Sequence, residues 1–147
     1  MYTSIKKFPE LTTNELYDIL QLRNKCFIVD QQVPYQDLDN YDKESYHFCL
    51  YDSDNNNLVA YARVIKPNVR FIEPSLGRVC INEQYRDGTH FNEIYKKVIE
   101  LGDELEYKVW RSILQKKYWS LWKRKGWTID KEIIEDGVES YEVILRR

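Results

Sequence analysis

Residues 16–48 read LYDILQLRNKCFIVDQQVPYQDLDNYDKESYHF: an apolar stripe, then a Gln-Gln pair, a Pro-Tyr step and a turn crowded with carboxylates. Leu16, Ile19, Leu20 and Phe27 recur at helical spacing with Leu22 and Cys26 beside them, so the first half predicts an amphipathic helix. Its start is marked by Thr12-Thr13-Asn14-Glu15, a capping box in which Thr12 accepts a backbone N–H and Glu15 reaches back. Residues 37–45 are polar and turn-like. Generic core followed by generic loop explains such a segment poorly.

Outward from this segment the chain reads as alternating elements. Tyr2–Phe8 can form a first strand. Tyr46–Tyr51 and Leu58–Ile65 predict two strands around the polar hairpin loop Asp52–Asn57, and Leu76–Asn82 predicts a third. Ile94, Val98, Leu101 and Leu105 then fall at helical spacing. Val109–Leu114 is short and β-prone, and Gln115–Lys125 predicts a helix stopped by Gly126, which suits a left-handed residue after a helix end. Trp127–Glu135 and Val138–Arg146 close the chain around Asp136-Gly137, a strong hairpin turn. Antiparallel strands followed by β-α-β imply an α/β fold with a mixed sheet and helices on both faces.

Composition bounds the function. A chain of 147 residues predicts one domain spanning 1–147, and 43% hydrophobic residues suffice for its core. With 22 basic and 24 acidic residues well mixed, no basic footprint for nucleic acid exists, and Lys123-Arg124-Lys125 suits the cationic last turn of a helix. No stretch approaches the roughly 20 apolar residues that span a bilayer, and MYTSIKKFPEL lacks the apolar core of a signal peptide. Cys26, Cys49 and Cys80 are odd in number and lack zinc spacing, which predicts buried reduced thiols, no metal, and a cytoplasmic setting.

The best catalytic geometry lies where the strand Leu76–Asn82 feeds the helix beginning near Thr89. Free backbone N–H groups and the helix dipole at such a start favour an anion. The intervening residues are Glu83-Gln84-Tyr85-Arg86-Asp87-Gly88-Thr89-His90-Phe91. They read equally as an ordinary strand–turn–helix with Thr89 as N-cap.

Taken together, the helix-plus-Gln-Gln-Val-Pro-Tyr segment, the strand Gly77-Arg78-Val79-Cys80-Ile81 and the ending Leu121-Trp122-Lys123-Arg124-Lys125-Gly126-Trp127 resemble the GCN5-related N-acetyltransferase (GNAT) family, in particular its ElaA-like branch. The resemblance implies a mixed, mostly antiparallel sheet of about six to seven strands. It implies acetyl-CoA as co-substrate and direct attack on the thioester by a primary amine of a small molecule or peptide. Val79, Cys80 and Ile81 would pair with the pantetheine arm. Arg86, Asp87, Gly88, Thr89, His90 and Phe91 would form the phosphate turn, where the family has Arg/Gln-x-x-Gly-x-Gly/Ala. The family glycines fall on Thr89 and Phe91, and a Phe ring there crowds a cofactor unless it turns into the core.

The family tyrosine that protonates the departing thiolate aligns with Trp122, and Tyr118, one turn earlier, is the other candidate acid. General-base candidates are Glu73, Glu83, His47 and Asp30. Gln31, Gln32, Tyr35 and His47 would line the acceptor side, and the carboxylates of Asp37, Asp39, Asp42 and Glu44 could attract a cationic amine or simply be solvated. The changes at Thr89, Phe91 and Trp122 keep a second function open, a catalytically reduced relative that binds coenzyme A or a protein partner. An unrelated α/β interaction domain would need the 16–48 match to arise by chance. The oligomeric state stays open, a homodimer included.

Overall fold

In the computed structural model, which describes residues 1–147, strands and helices follow in the order β1 (Tyr2–Lys7), α1 (Thr13–Arg23), β2 (Ser45–Tyr51), β3 (Leu58–Ile65), β4 (Ser75–Ile81), α2 (His90–Glu104), β5 (Val109–Gln115), α3 (Trp119–Lys123), β6 (Thr128–Glu135) and β7 (Val138–Arg146). The α/β class and element order are as the periodicity predicts. The expected mixed sheet is divided in two, an antiparallel β1-β2-β3-β4 and an antiparallel β5-β7-β6.

The two sheets meet where β4 and β5 begin. Arg111 N–H donates to Pro74 O at 3.0 Å, and Leu76 N–H donates to Ser112 Oγ, also at 3.0 Å. Ser112 is fully buried, so its hydroxyl serves as the strand partner that the backbone there lacks. Farther along, no ladder joins the two strands.

Two apolar clusters clamp the sheets from opposite faces. The larger places Ile94 and Val98 of α2 against Phe48, Val59, Leu76, Trp110 and Val143, so it spans both sheets. Trp110, Trp122 and Trp127 all lie in it and Trp119 packs against it, so all four tryptophans serve the core. The smaller cluster packs Ile19, Leu22 and Cys26 against Cys49, Tyr61 and Cys80. Each fully buried large side chain contributes about 1.5–3 kcal/mol.

Three local departures have physical causes. After Arg23 the helix widens into a π-helical turn, Asn24–Val29, closed by Asp30 N–H to Lys25 O at 2.9 Å. The buried stripe of α1 and this turn is Ile19, Leu22, Arg23 and Cys26, so Arg23 rather than Leu16 or Leu20 is fully buried. In α2, Gly102 takes an inner place and Leu105, past the last helical residue, is exposed. The predicted helix 115–125 starts late, because Gln115 is still extended and Lys116–Tyr118 form a 3-10 turn. The capping box at Thr12 and the left-handed Gly126 (φ +96°) are present as expected. No helix is long and apolar enough to cross a membrane.

Candidate active site

Where β4 and β5 part, a cleft of about 470 Å³ opens between Gly77–Ile81 on one side and Ile113–Gln115 on the other. Its cause lies in β4. Tyr61 pairs with Cys80 but Arg63 with Gly77, so three steps along β4 match two along β3, and Arg78 takes φ +50°. Such a bulge bends its strand and raises its twist. The cleft floor is apolar, with Val79, Ile81, Leu114, Leu121 and Trp122. Arg86 and Phe91 line it beside the start of α2, and Gln31, Tyr35, Gln115, Glu135, Asp136 and Ser140 line it as well.

The loop after the π-helical turn is fixed by a buried ionic network. Arg23, with none of its surface exposed, donates through Nε to Asp37 (3.0 Å) and through Nη1 to Asp42 (2.6 Å). Arg63 bonds Asp39 through both Nη atoms (2.8 and 2.6 Å) and Asp42 through Nη1 (2.9 Å). Arg78 Nε lies 2.7 Å from Asp37 Oδ1, and its Nη2 donates to Asp37 O at 3.0 Å. Burial would raise the Asp42 carboxyl, but Arg23 and Arg63 outweigh it and hold it below the usual carboxylate range. These three aspartates are therefore paired within the protein, neither simply solvated nor free to draw in a cationic amine, the two alternatives that the sequence leaves open. They instead pin the loop to β3 and β4.

Of the residues expected on the acceptor side, Gln31 and Tyr35 reach the cleft. Gln31 accepts from Gln115 Nε2 at 2.9 Å and donates to the Tyr118 hydroxyl at 3.4 Å, a polar bridge across the cleft. Tyr35 lies under the Arg78 guanidinium (5.4 Å) and bonds Asp37; burial pushes its phenol up to about 12. Gln32, at φ +56°, does not line the cleft. His47 lies elsewhere, 1% exposed, with Nδ1 2.7 Å from the Tyr61 hydroxyl and Nε2 2.8 Å from Asp42 O, so it is a structural bond-maker.

Among the candidate bases, Glu73 lies off the cleft and is paired with Arg111 at 3.1 Å. Glu83 faces a separate surface hollow. Asp30 lines the cleft but is held by Lys25 at 2.6 Å and Arg86 at 3.7 Å. Tyr118 lines the cleft and is 41% exposed. Trp122 forms its wall with the ring against Trp127, centroids 4.8 Å apart.

At the start of α2, Arg86 is half exposed and donates to Ile81 O at 3.0 Å. Phe91 stacks on Tyr95 (5.7 Å) and packs against the large core. Thr89 makes no side-chain cap: Asp87 Oδ1 accepts both its N–H (3.0 Å) and its hydroxyl (2.8 Å), so the hydroxyl expected to cap the helix is turned back onto the preceding turn. His90 is buried, with Nδ1 2.8 Å from Glu93. Asp87, Gly88, Thr89 and His90 do not line the cleft.

A sheet that parts at its centre beside a strand–turn–helix is the arrangement that the resemblance implies, and comparison with known proteins decides the family. Residues 22–121 match the acetyltransferase (GNAT) domain. The chain belongs to the GNAT family. Protein ElaA of Escherichia coli (strain K12) is 35% identical over 91 residues, 62% of this chain and 60% of that protein. A UPF0039 protein of Synechocystis sp. is 39% identical over 83 residues, 56% of this chain and 53% of that protein. The matched segments thus span less than two thirds of those relatives' lengths. Among solved structures, an acyl-CoA N-acyltransferase from Pseudomonas aeruginosa superposes with TM-score 0.89 at 23% identity, covering 97% of each chain. The crystal structure of E. coli ElaA superposes with TM-score 0.86 at 26% identity, covering 98% of this chain and 99% of that one.

The cleft of this GNAT domain also holds residues that the sequence did not single out for it. Gln115 reads as a helix start, Asp136 as half of a turn signal, and Cys26 as core. The Asp136-Gly137 turn has positive φ at both residues (51° and 78°), as its sequence predicts, but only the tertiary fold brings it to the cleft. Arg78 sits inside a strand pattern, where nothing local announces a bulge.

Proposed function

We propose that this GNAT protein is an acetyl-CoA-dependent N-acetyltransferase acting on a primary amine of a small molecule or peptide. The observation that carries this reading is the parting of β4 from β5, which leaves the Val79–Ile81 strand edge open toward an apolar cleft. The residues there fit an extended amide-bearing arm, whose amides would take up the hydrogen bonds of that edge. Arg86, and Lys125 beside Phe91, supply positive charge near the α2 start for phosphates. Acetyl-CoA supplies an activated acyl group. The protein's part is to orient the amine against it, with Gln31, Tyr35 and Gln115 at the acceptor end.

Two groups hold the proton roles in this scheme. Asp136, which has no cation within 4.0 Å, takes the amine proton, in place of the paired Glu73. Tyr118 offers its phenol to the leaving thiolate, since a Trp122 indole is no useful acid. A thiol of pKa about 8.5 leaves tolerably as the bare thiolate, so this acid accelerates the reaction without being required.

One observation favours the second reading, a reduced member that binds without efficient transfer. The Asp87 carboxylate at the start of α2 holds donors that a phosphate would use. Thermal unfolding with acetyl-CoA, followed by an acceptor screen that reads free thiol, tests both. At about 100 times its dissociation constant the ligand adds about 2.7 kcal/mol, a rise in Tm of about 5–10 °C. An unchanged Tm at saturation refutes coenzyme A binding in either form. A rise with no thiol release from any amine selects the second reading.

A further inference from the structure

We propose that Cys26 and Cys80 form a reactive thiol pair in the cleft wall, which a small disulfide modifies first as a mixed disulfide on Cys26 and then as a Cys26–Cys80 disulfide. The two come from different elements, Cys26 from the π-helical turn and Cys80 from β4, and both line the cleft. Both belong to the smaller apolar cluster, and Cys26 Sγ donates to the carbonyl of Ile81, the residue after Cys80, at 3.7 Å. Arg86 Nη2 donates to Cys26 Sγ at 3.5 Å, from a side chain that is 47% exposed at the cleft mouth. That guanidinium is anchored by its Nε bond to Ile81 O at 3.0 Å, and Asp30 lies 3.7 Å from its Nη2.

A thiol facing a cation on the wall of an open cleft has the surroundings of a reactive cysteine, while thiols in wholly apolar surroundings are inert. The three cysteines divide accordingly. The hydrogen bond from Cys80, aided by the Arg86 charge, draws Cys26 down to about 7 against the effect of burial. Burial, and then the bond to Cys26, raise Cys80, which keeps its proton. Cys49 lies off the cleft, and burial pushes it up to about 12. Cys26 is the attacking thiolate, Cys80 the resolving thiol and Cys49 the bystander.

The steps balance. Cys26 thiolate attacks one sulfur of a disulfide RSSR; the S–S bond breaks and RS⁻ leaves, taking a proton from water. Cys80 loses its proton to solvent and attacks the Cys26 sulfur, and the second RS⁻ departs and is protonated. Both cysteine sulfurs are oxidised and RSSR is reduced to two RSH. The bond formed would strap the π-helical turn to β4 and deprive Arg86 of its thiolate partner.

The test uses the whole protein and 4,4′-dithiodipyridine, with thione release followed by absorbance and products by intact mass, without acyl-CoA. Failure here therefore leaves the acetyl-transfer reading untouched. The wild type should release two thiones per chain in a fast phase and end two hydrogens lighter with no label retained. Cys80→Ser should release one and keep a pyridyl label that maps to Cys26; Cys26→Ser should lose the fast phase; Cys49→Ser should keep it. With Arg86→Gln the Cys80 contact remains and only the cation's share of the lowering is lost, so the fast phase should slow by at most about three-fold, the net effect of a thiolate fraction at pH 7 falling from about one half to about 3%, partly offset by higher nucleophilicity. A fast phase that survives Cys26→Ser, or a rate indifferent to Arg86→Gln, overturns the assignment of Cys26. A label retained on the wild type overturns the resolving role of Cys80.

Discussion

Arg23 carries a full charge on a helix face where the sequence pattern calls for an apolar side chain, and none of its surface meets solvent. It is tolerated because Asp37 and Asp42 surround it. Removing one partner of such a buried pair strands the others, so Arg23→Met should lower the unfolding free energy by about 3–5 kcal/mol, read by urea titration. A loss under about 1 kcal/mol would show that the carboxylates find water when the arginine is gone. Tyr118 is the contrasting case, exposed and bonded only weakly. Tyr118→Phe should leave stability and the KM for acetyl-CoA unchanged and lower kcat by no more than the low end of the usual about 10²–10⁴-fold for general acids. Unchanged kcat would assign the proton to water.

At the scale of elements, α2 shows how a missing side chain fixes a packing distance. A Cβ on Gly102 would lie 2.3 Å from Cζ2 of Trp110, which is 1% exposed and has nowhere to move. The gain in helix propensity from Gly102→Ala is about 1 kcal/mol, while overpacking costs about 1–3, so a net destabilisation of up to about 2 kcal/mol should appear in chemical denaturation. Most strands and helices here were legible because an apolar or β-prone pattern persists over six or more residues, whereas the five-residue α3 was read too long. The caps at Thr12 and Gly126 and the Asp136-Gly137 turn were legible because their chemistry is local. The π-helical turn was not, since it is set by how Arg23 and Cys26 dock against β3 and β4. Nor were the partners of Asp37, Asp39 and Asp42, whose arginines come from α1, β3 and β4. The same limit governs the site: Gln31 and Tyr35 follow from the family segment, whereas Asp136, Cys26 and Gln115 reach the cleft through tertiary packing alone.

At the scale of the molecule, the ionisable groups sealed beneath the loop that follows the π-helical turn should govern stability against pH. Burial depresses the His47 pKa, so the folded protein holds it neutral, while the unfolded chain binds a proton below about pH 6.5. The unfolded state then binds more protons, and stability falls as pH drops beneath that value. For Asp39 and Asp42, burial opposes ionisation but the arginines prevail and lower both. Their contribution is complete above the unfolded value of about 3.9 and is lost as pH falls through the lower folded values. Tm should therefore decline in two stages on acidification, and His47→Gln should remove the upper one. A wild-type profile flat from about pH 7 to 5 would mean that His47 titrates alike in both states.

The parting of β4 from β5 also bears on time. A strand flanked on both sides normally guards its amides until the whole domain opens, and exchanges them with solvent last. In β4, the edge of Val79–Ile81 that turns away from β3 faces the open cleft and no neighbouring strand, although it sits at the middle of the fold. The centre of this protein thus keeps the exchange clock of a margin, and an occupant that bonds that edge would slow it to the clock of a core.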